Sequence, residues 1–198
     1  DDDDIRTADI VKAALMVGYR FLDCAKFYAN ERAVGKAIKE SRIPRSELFI
    51  QTKVWCDAIS RTGSPERRDD SIEHRVARYK RAPEKNYGEA IREQVAKSCR
   101  DLNVEFLDCV LLHWPVPGQF IDAYRVLEEL QREKIVRSIG LSNFTIEDYH
   151  ELLPHIEIPP VINQIEVNPL LWREQTVRFF QQRGIAVQAY RVLCDGAA

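Results

Sequence analysis

A chain of 198 residues that is 45% hydrophobic and 30% charged, with a formal net charge of −2, can bury one sizeable core. That near-neutral charge gives no basis for nucleic acid or an anionic membrane as partner, and no apolar run approaches membrane-spanning length. Five scattered cysteines without a C-x-x-C pair argue for reduced thiols and the cytoplasm, against a disulfide framework or a zinc site, and no signal peptide is read at the start.

The opening DDDD reads as a solvated charge run without function, and a helix follows from Ala8 to Val17. Tyr19-Arg20-Phe21-Leu22 has the aromatic and aliphatic character of a strand, with Asp23 at its C-terminal tip. Tyr28 falls in the polar loop beyond, and Ala33, Val34, Ala37 and Ile38 give the face of a helix. Leu48 to Lys53 is the next predicted strand. Residues 57–87, DAISRTGSPERRDDSIEHRVARYKRAPEKNY, then break the rhythm with charge and two prolines. Such a segment is a solvated insertion or, since it leaves from the Lys53 tip, a cover over the site.

The alternation resumes with a helix on Ile91, Val95, Cys99 and Leu102, and a strand from Phe106 to Leu112 that ends at His113. Phe120, Tyr124, Leu127 and Leu130 mark another helix, and Val136 to Leu141 a strand running into Ser142 and Asn143. Thr145 with Asp148 has the spacing of a helix capping box. Val161 to Ile165 is a strand, Val177, Phe179 and Phe180 belong to a helix that Gly184 can terminate, and Ile185 to Tyr190 is the last strand. Strands alternating with helices indicate a parallel sheet, and polar residues recurring at strand tips favour a (β/α)8 TIM barrel over other α/β folds. The expected domain is a single one over 1–198, with 57–87 as an insertion. Eight strands close such a barrel, so its first strand and its last strand–helix unit are not seen in the chain.

Four polar groups stand at strand tips or just beyond them: Asp23, Tyr28, Lys53 and His113. Singly, each has an ordinary structural reading as a helix cap, a half-buried ring, a solvated lysine or a core histidine. Together with their surroundings they resemble the aldo-keto reductase family. GYRFLDCAKFYANERAVG is similar to its first signature, LLHWP carries its histidine, and IVRSIGLSNF and NQIEVNP match two further blocks. The resemblance runs from about Ile5 to Tyr190, interrupted at 57–87.

It implies reduction of an aldehyde or ketone by direct hydride transfer from NADPH, which becomes NADP+. A carbonyl accepting hydride develops alkoxide character and needs a proton. The resemblance makes Tyr28 the donor. A phenol is ordinarily a weak acid at neutral pH, and a neighbouring ammonium favours the phenolate, the part implied for Lys53. Asp23 would hold Lys53, and His113 would orient the carbonyl oxygen. Ser142, Asn143 and Gln164 match the positions that bind the nicotinamide carboxamide, Tyr190 the ring that stacks on it, and Trp55 and Trp114 the walls of an apolar substrate pocket. Asp23 counts with the cofactor set as well. No metal is implied, the partner is a small carbonyl compound, and a complete barrel would be a monomer. A second reading is a non-catalytic binding or regulatory module of the same family. Two departures stand out. Cys24 is a small change, whereas Arg191-Val192-Leu193 replaces the family's usual Ser-Pro-Leu where the cofactor's pyrophosphate would lie.

Overall fold

The computed structural model describes residues 2–56 and 87–194. Helix α1 (Asp2–Met16) begins well before Ala8 and takes in the acidic run. Carboxylates in a first helical turn face the partial positive charge of the helix N-terminus, so a charge run expected to be structureless opens a helix instead. Gly18, at φ +105°, turns the chain out of α1. Strand β1 (Phe21–Asp23) starts two residues later than the apolar run suggests. The reason is local: the Tyr19 amide still donates to the Ala14 carbonyl of α1 at 3.0 Å and is not available to the sheet.

The remaining elements follow the predicted order. They are α2 (Glu31–Ser41), β2 (Phe49–Val54), α3 (Tyr87–Leu102), β3 (Leu107–Leu112), α4 (Phe120–Arg132) and β4 (Val136–Ser142). Then come α5 (Ile146–Leu152), β5 (Ile162–Glu166), α6 (Glu174–Gln181) and β6 (Ala186–Tyr190). Tyr87, expected as the last residue of the insertion, opens α3. The rest of that segment, 57–86, lies outside the described residues. The capping box forms as read, with Thr145 Oγ1 accepting from the Asp148 amide at 3.1 Å and Asp148 Oδ2 accepting from the Thr145 amide at 2.8 Å.

All strand pairings are parallel, and the six strands lie in sequence order. A doubly wound sheet reverses direction at a switch point; a sheet that never reverses is singly wound, as in a barrel. It is also rolled. Asp23 on β1 accepts from Gln164 on β5 at 3.0 Å, and Gln51 on β2 reaches Gln188 on β6 at 2.9 Å. In a flat sheet, strands four apart would stand roughly 19 Å from each other at the usual inter-strand spacing. The sheet therefore curves into an open segment of a (β/α)8 barrel, the expected fold.

Side chains alternate across each strand, which sorts β2 into two sets. Phe49, Gln51 and Lys53 face the concave interior; Ile50, Thr52 and Val54 face the helices and are fully buried. One apolar core joins these residues with Ile91, Val95, Val110, Leu112, Tyr124 and Leu127. Helices α2 and α3 approach so closely that a Cβ on Gly35 would lie 2.1 Å from the Asp101 carbonyl oxygen, and only glycine fits there.

Candidate active site

The strand tips on the C-terminal side of the sheet bring the four predicted groups together. Lys53, fully buried, stands at the centre. Its ammonium lies 2.9 and 2.8 Å from the two oxygens of Asp23, donates to the Cys24 carbonyl at 3.0 Å, and donates to the Tyr28 phenol oxygen at 3.2 Å. A buried ammonium without such partners would be strongly disfavoured. Here every hydrogen has an acceptor, and the opposite charge is in direct contact. Asp23 is saturated too, since Gln51 Nε2 donates to one of its oxygens at 2.7 Å and Gln164 Nε2 to the other at 3.0 Å. The phenol is open to solvent: Tyr28 is 46% accessible. With its oxygen accepting from Lys53, its own proton points to no partner it must share and is available to a ligand.

His113 follows β3, its amide bonded to the Val54 carbonyl at 2.9 Å. Burial first and the Lys53 charge second push its pKa down to about 3, so the imidazole is neutral near pH 7. Its Nδ1 is buried with no hydrogen-bond partner. The ring centroid is 6.0 Å from that of Tyr28, edge to face, and 5.2 Å from that of Trp55. Phe27, which the sequence reading did not single out, completes this wall at 5.7 Å from Trp55 and 6.2 Å from His113. Phe27 is 44% exposed, and no periodicity in its loop signals this role. Trp114 is half-buried, and its carbonyl accepts from Cys56 Sγ at 3.3 Å.

Gln51 and Gln188 were also passed over. Their signal is the alternation of β2 and β6, which puts them on the concave face with Lys53 and Tyr190.

A second group lies at the tips of β4, β5 and β6. Asn143 is not a helix cap; it sits at φ 65°, in the left-handed region that asparagine tolerates. Its Nδ2 donates to the His113 carbonyl at 2.9 Å and to Ser142 Oγ at 3.1 Å, while its Oδ1 accepts from the Tyr190 hydroxyl at 2.8 Å. Ser142 keeps its hydroxyl proton, and Gln164 keeps its carbonyl oxygen. One donor and one acceptor side by side, with a half-buried phenol ring adjacent, match a neutral carboxamide carried on a flat ring. Beyond them, Arg191 stands 3.9 Å from Glu166 and has φ 52°.

Among the described residues no helix is long and apolar enough to cross a membrane. The model of the Aldo/keto reductase family matches residues 3–198. The chain is 35% identical to the 9,11-endoperoxide prostaglandin H2 reductase of Trypanosoma cruzi, over 98% of this chain and 59% of that protein. It is also 35% identical to the glyoxal reductase of Bacillus subtilis, over 94% of this chain and 58% of that one. The crystal structure of a Bombyx mori aldo-keto reductase in complex with NADP superposes with a TM-score of 0.74 at 29% identity, covering 95% of this chain and 56% of the other. The chain thus spans well under two thirds of the length of these relatives.

Proposed function

The chain belongs to the aldo/keto reductase family, and from that premise we propose that it reduces aldehydes or ketones to alcohols with NADPH, Tyr28 acting as general acid. The observation that carries this reading is the hydrogen-bonded sequence Asp23–Lys53–Tyr28, buried at Lys53 and open at the phenol. Ser142, Asn143 and Gln164 would hold the carboxamide of the cofactor and Tyr190 would flank its ring; bound there, the cofactor supplies the hydride. The fit of that donor and acceptor set supports NADPH here, as does the complex of the Bombyx mori relative with NADP.

The protein's own contribution is positioning and proton transfer. A carbonyl oxygen set between Tyr28 and His113 receives a hydrogen bond from each. As that oxygen gains charge it takes the phenol proton, and Lys53 stabilises the phenolate left behind. Asp23 pairs with Lys53 in its buried place. Because His113 is neutral near pH 7, it orients the oxygen as a hydrogen-bond donor without competing as an acid. Trp55 and Phe27 exclude water from the reacting carbonyl, and Trp114 is read as a further wall. The free cysteines suit a reducing compartment such as the cytoplasm, and we read residues 1–198 as belonging to one barrel domain, a monomer where the barrel is complete, with the insertion ending before Tyr87.

Replacing Tyr28 by Phe tests the assignment. The variant should lose carbonyl reduction by on the order of a hundredfold or more. Its affinity for NADPH, followed by fluorescence titration, should stay near that of the parent, since the phenol faces the substrate. Parent-like turnover would take Tyr28 out of the mechanism. A parent protein that binds NADPH and reduces no aldehyde or ketone would leave the binding module as the reading.

A further inference from the structure

Two energetically unfavourable features closely follow Tyr28, and neither is needed to build a barrel. Ala29, the next residue, is held at φ 56°, a conformation that disfavours a side chain by about 1 kcal/mol or more. Two residues later Glu31 is buried, 5% exposed, without any basic partner among its hydrogen bonds. Instead its Oε1 accepts from Thr52 Oγ1 at 2.6 Å and its Oε2 from Ser98 Oγ at 2.8 Å. Burial raises its pKa, and the two hydroxyls only partly oppose that. An apolar residue would pack α2 against β2 and α3 without this desolvation.

What the carboxylate accomplishes is geometric. Thr52 immediately precedes Lys53, and the two side chains leave β2 on opposite faces. The segment between β1 and α2 is fixed to β2 at its start, where the Cys24 amide donates to the Gln51 carbonyl at 2.8 Å. Glu31 fixes it at its end. We propose that Glu31 is a positioning residue for Tyr28: its side chain ties the loop carrying the phenol to the back of the strand carrying Lys53. Ser98 extends the tie to α3. The inference rests on the reading of Tyr28 as the acid.

The experiment compares Glu31→Ala, Glu31→Gln and Thr52→Val with Glu128→Ala in the full chain. Glu128 is an equally buried glutamate whose Oε1 holds the Glu157 and Ile158 amides, both at 2.6 Å, away from the site. Steady-state kinetics and the NMR signal of tyrosine labelled with carbon-13 at Cζ are recorded for each, the Tyr28 signal being the one absent in Tyr28→Phe. Glu31→Ala should lower kcat about tenfold and Thr52→Val about threefold, with KM for NADPH unchanged. Both should shift or broaden the Tyr28 signal. Glu31→Gln, which can still bond both hydroxyls, should restore most of kcat, and Glu128→Ala should destabilise the fold while leaving kcat and the Tyr28 signal as in the parent.

Parent-like kcat and a sharp Tyr28 signal in Glu31→Ala would overturn the proposal, as would equal losses in Glu128→Ala. Should Glu31→Ala fail to fold, Thr52→Val decides by the same two readings. A parent without carbonyl reductase activity would instead sink the proposed function, and the Tyr28 signal would then decide the positioning alone.

Discussion

The sheet carries an aspartate paired with basic side chains at each of its ends, one partly solvated and one buried, and the two are built to opposite purposes. At the C-terminal tips, Asp23 and Lys53 consume each other's capacity inward and pass one hydrogen bond outward to an exposed phenol. At the N-terminal side, Asp108 of β3 is 3% exposed and takes Arg45 at 2.6 Å, Arg137 at 3.0 Å and the Ile50 amide at 2.8 Å. Both guanidinium groups also pack on the Phe106 ring, 4.1 and 3.9 Å from its centre. Both oxygens of Asp108 are taken there. On the proposed function, similar ion pairs serve chemistry where the cluster ends in an exposed donor, and cohesion where it does not. Barrels divide their labour the same way, with catalysis at the C-terminal ends of strands and stability at the N-terminal ends.

Substitution at the two ends should separate these purposes. Lys53→Met removes the group that stabilises the phenolate, and kcat should fall roughly a thousandfold, about 4 kcal/mol in the barrier. The fold should lose little, because the aspartate left behind is partly solvated and still bonded by Gln51 and Gln164. Asp108→Ala should do the reverse. It strands Arg45 and unpairs the Ile50 amide, which should lower unfolding stability by about 3 kcal/mol. Arg137 is largely exposed and can turn to water, which keeps the loss at the low end of the range for a broken buried pair. Denaturant midpoints beside steady-state rates check both. A Lys53→Met protein that melts early with its rate intact, or an Asp108→Ala protein that is stable but slow, would erase the distinction.

The two ends also differ in how far they could be read from sequence. The end proposed to be catalytic was legible because its parts sit in short contiguous signatures, at strand tips or in the loop just beyond them. The parity of β2 even places Lys53 on the concave face. The cohesive end was not legible. Asp108 merely interrupts the apolar run of FLDCVLL, and its partner Arg45 lies 63 residues away with no periodic relation to it. The same limit hid the roll of the sheet, since the Gln51–Gln188 contact spans 137 residues. Phe27 was missed for another reason: loop residues obey no period, so an aromatic there announces a wall only once Trp55 and His113 are seen around it. The acidic start misled because charge suggests solvation before it suggests a helix N-terminus.

A smaller effect sharpens the contrast through pH. His113 belongs to the catalytic end, and its folded pKa of about 3 lies below the ordinary 6.5 because it is buried beside Lys53. Between those two values the unfolded chain binds a proton that the folded chain refuses. Stability contributed by the neutral imidazole is therefore fully present above about pH 6.5 and is lost as pH falls through the window toward 3. At pH 5.5 the linkage amounts to roughly 1 kcal/mol. The Arg45–Asp108–Arg137 cluster contains no histidine. His113→Gln should accordingly narrow the drop in stability between pH 8 and pH 5.5 by about that amount, whatever it does to the absolute value at pH 8. Urea unfolding of parent and variant at the two pH values measures the difference. Parallel losses in the two proteins would mean that His113 takes its proton in the folded state, and the neutral donor assigned to it would have to be abandoned.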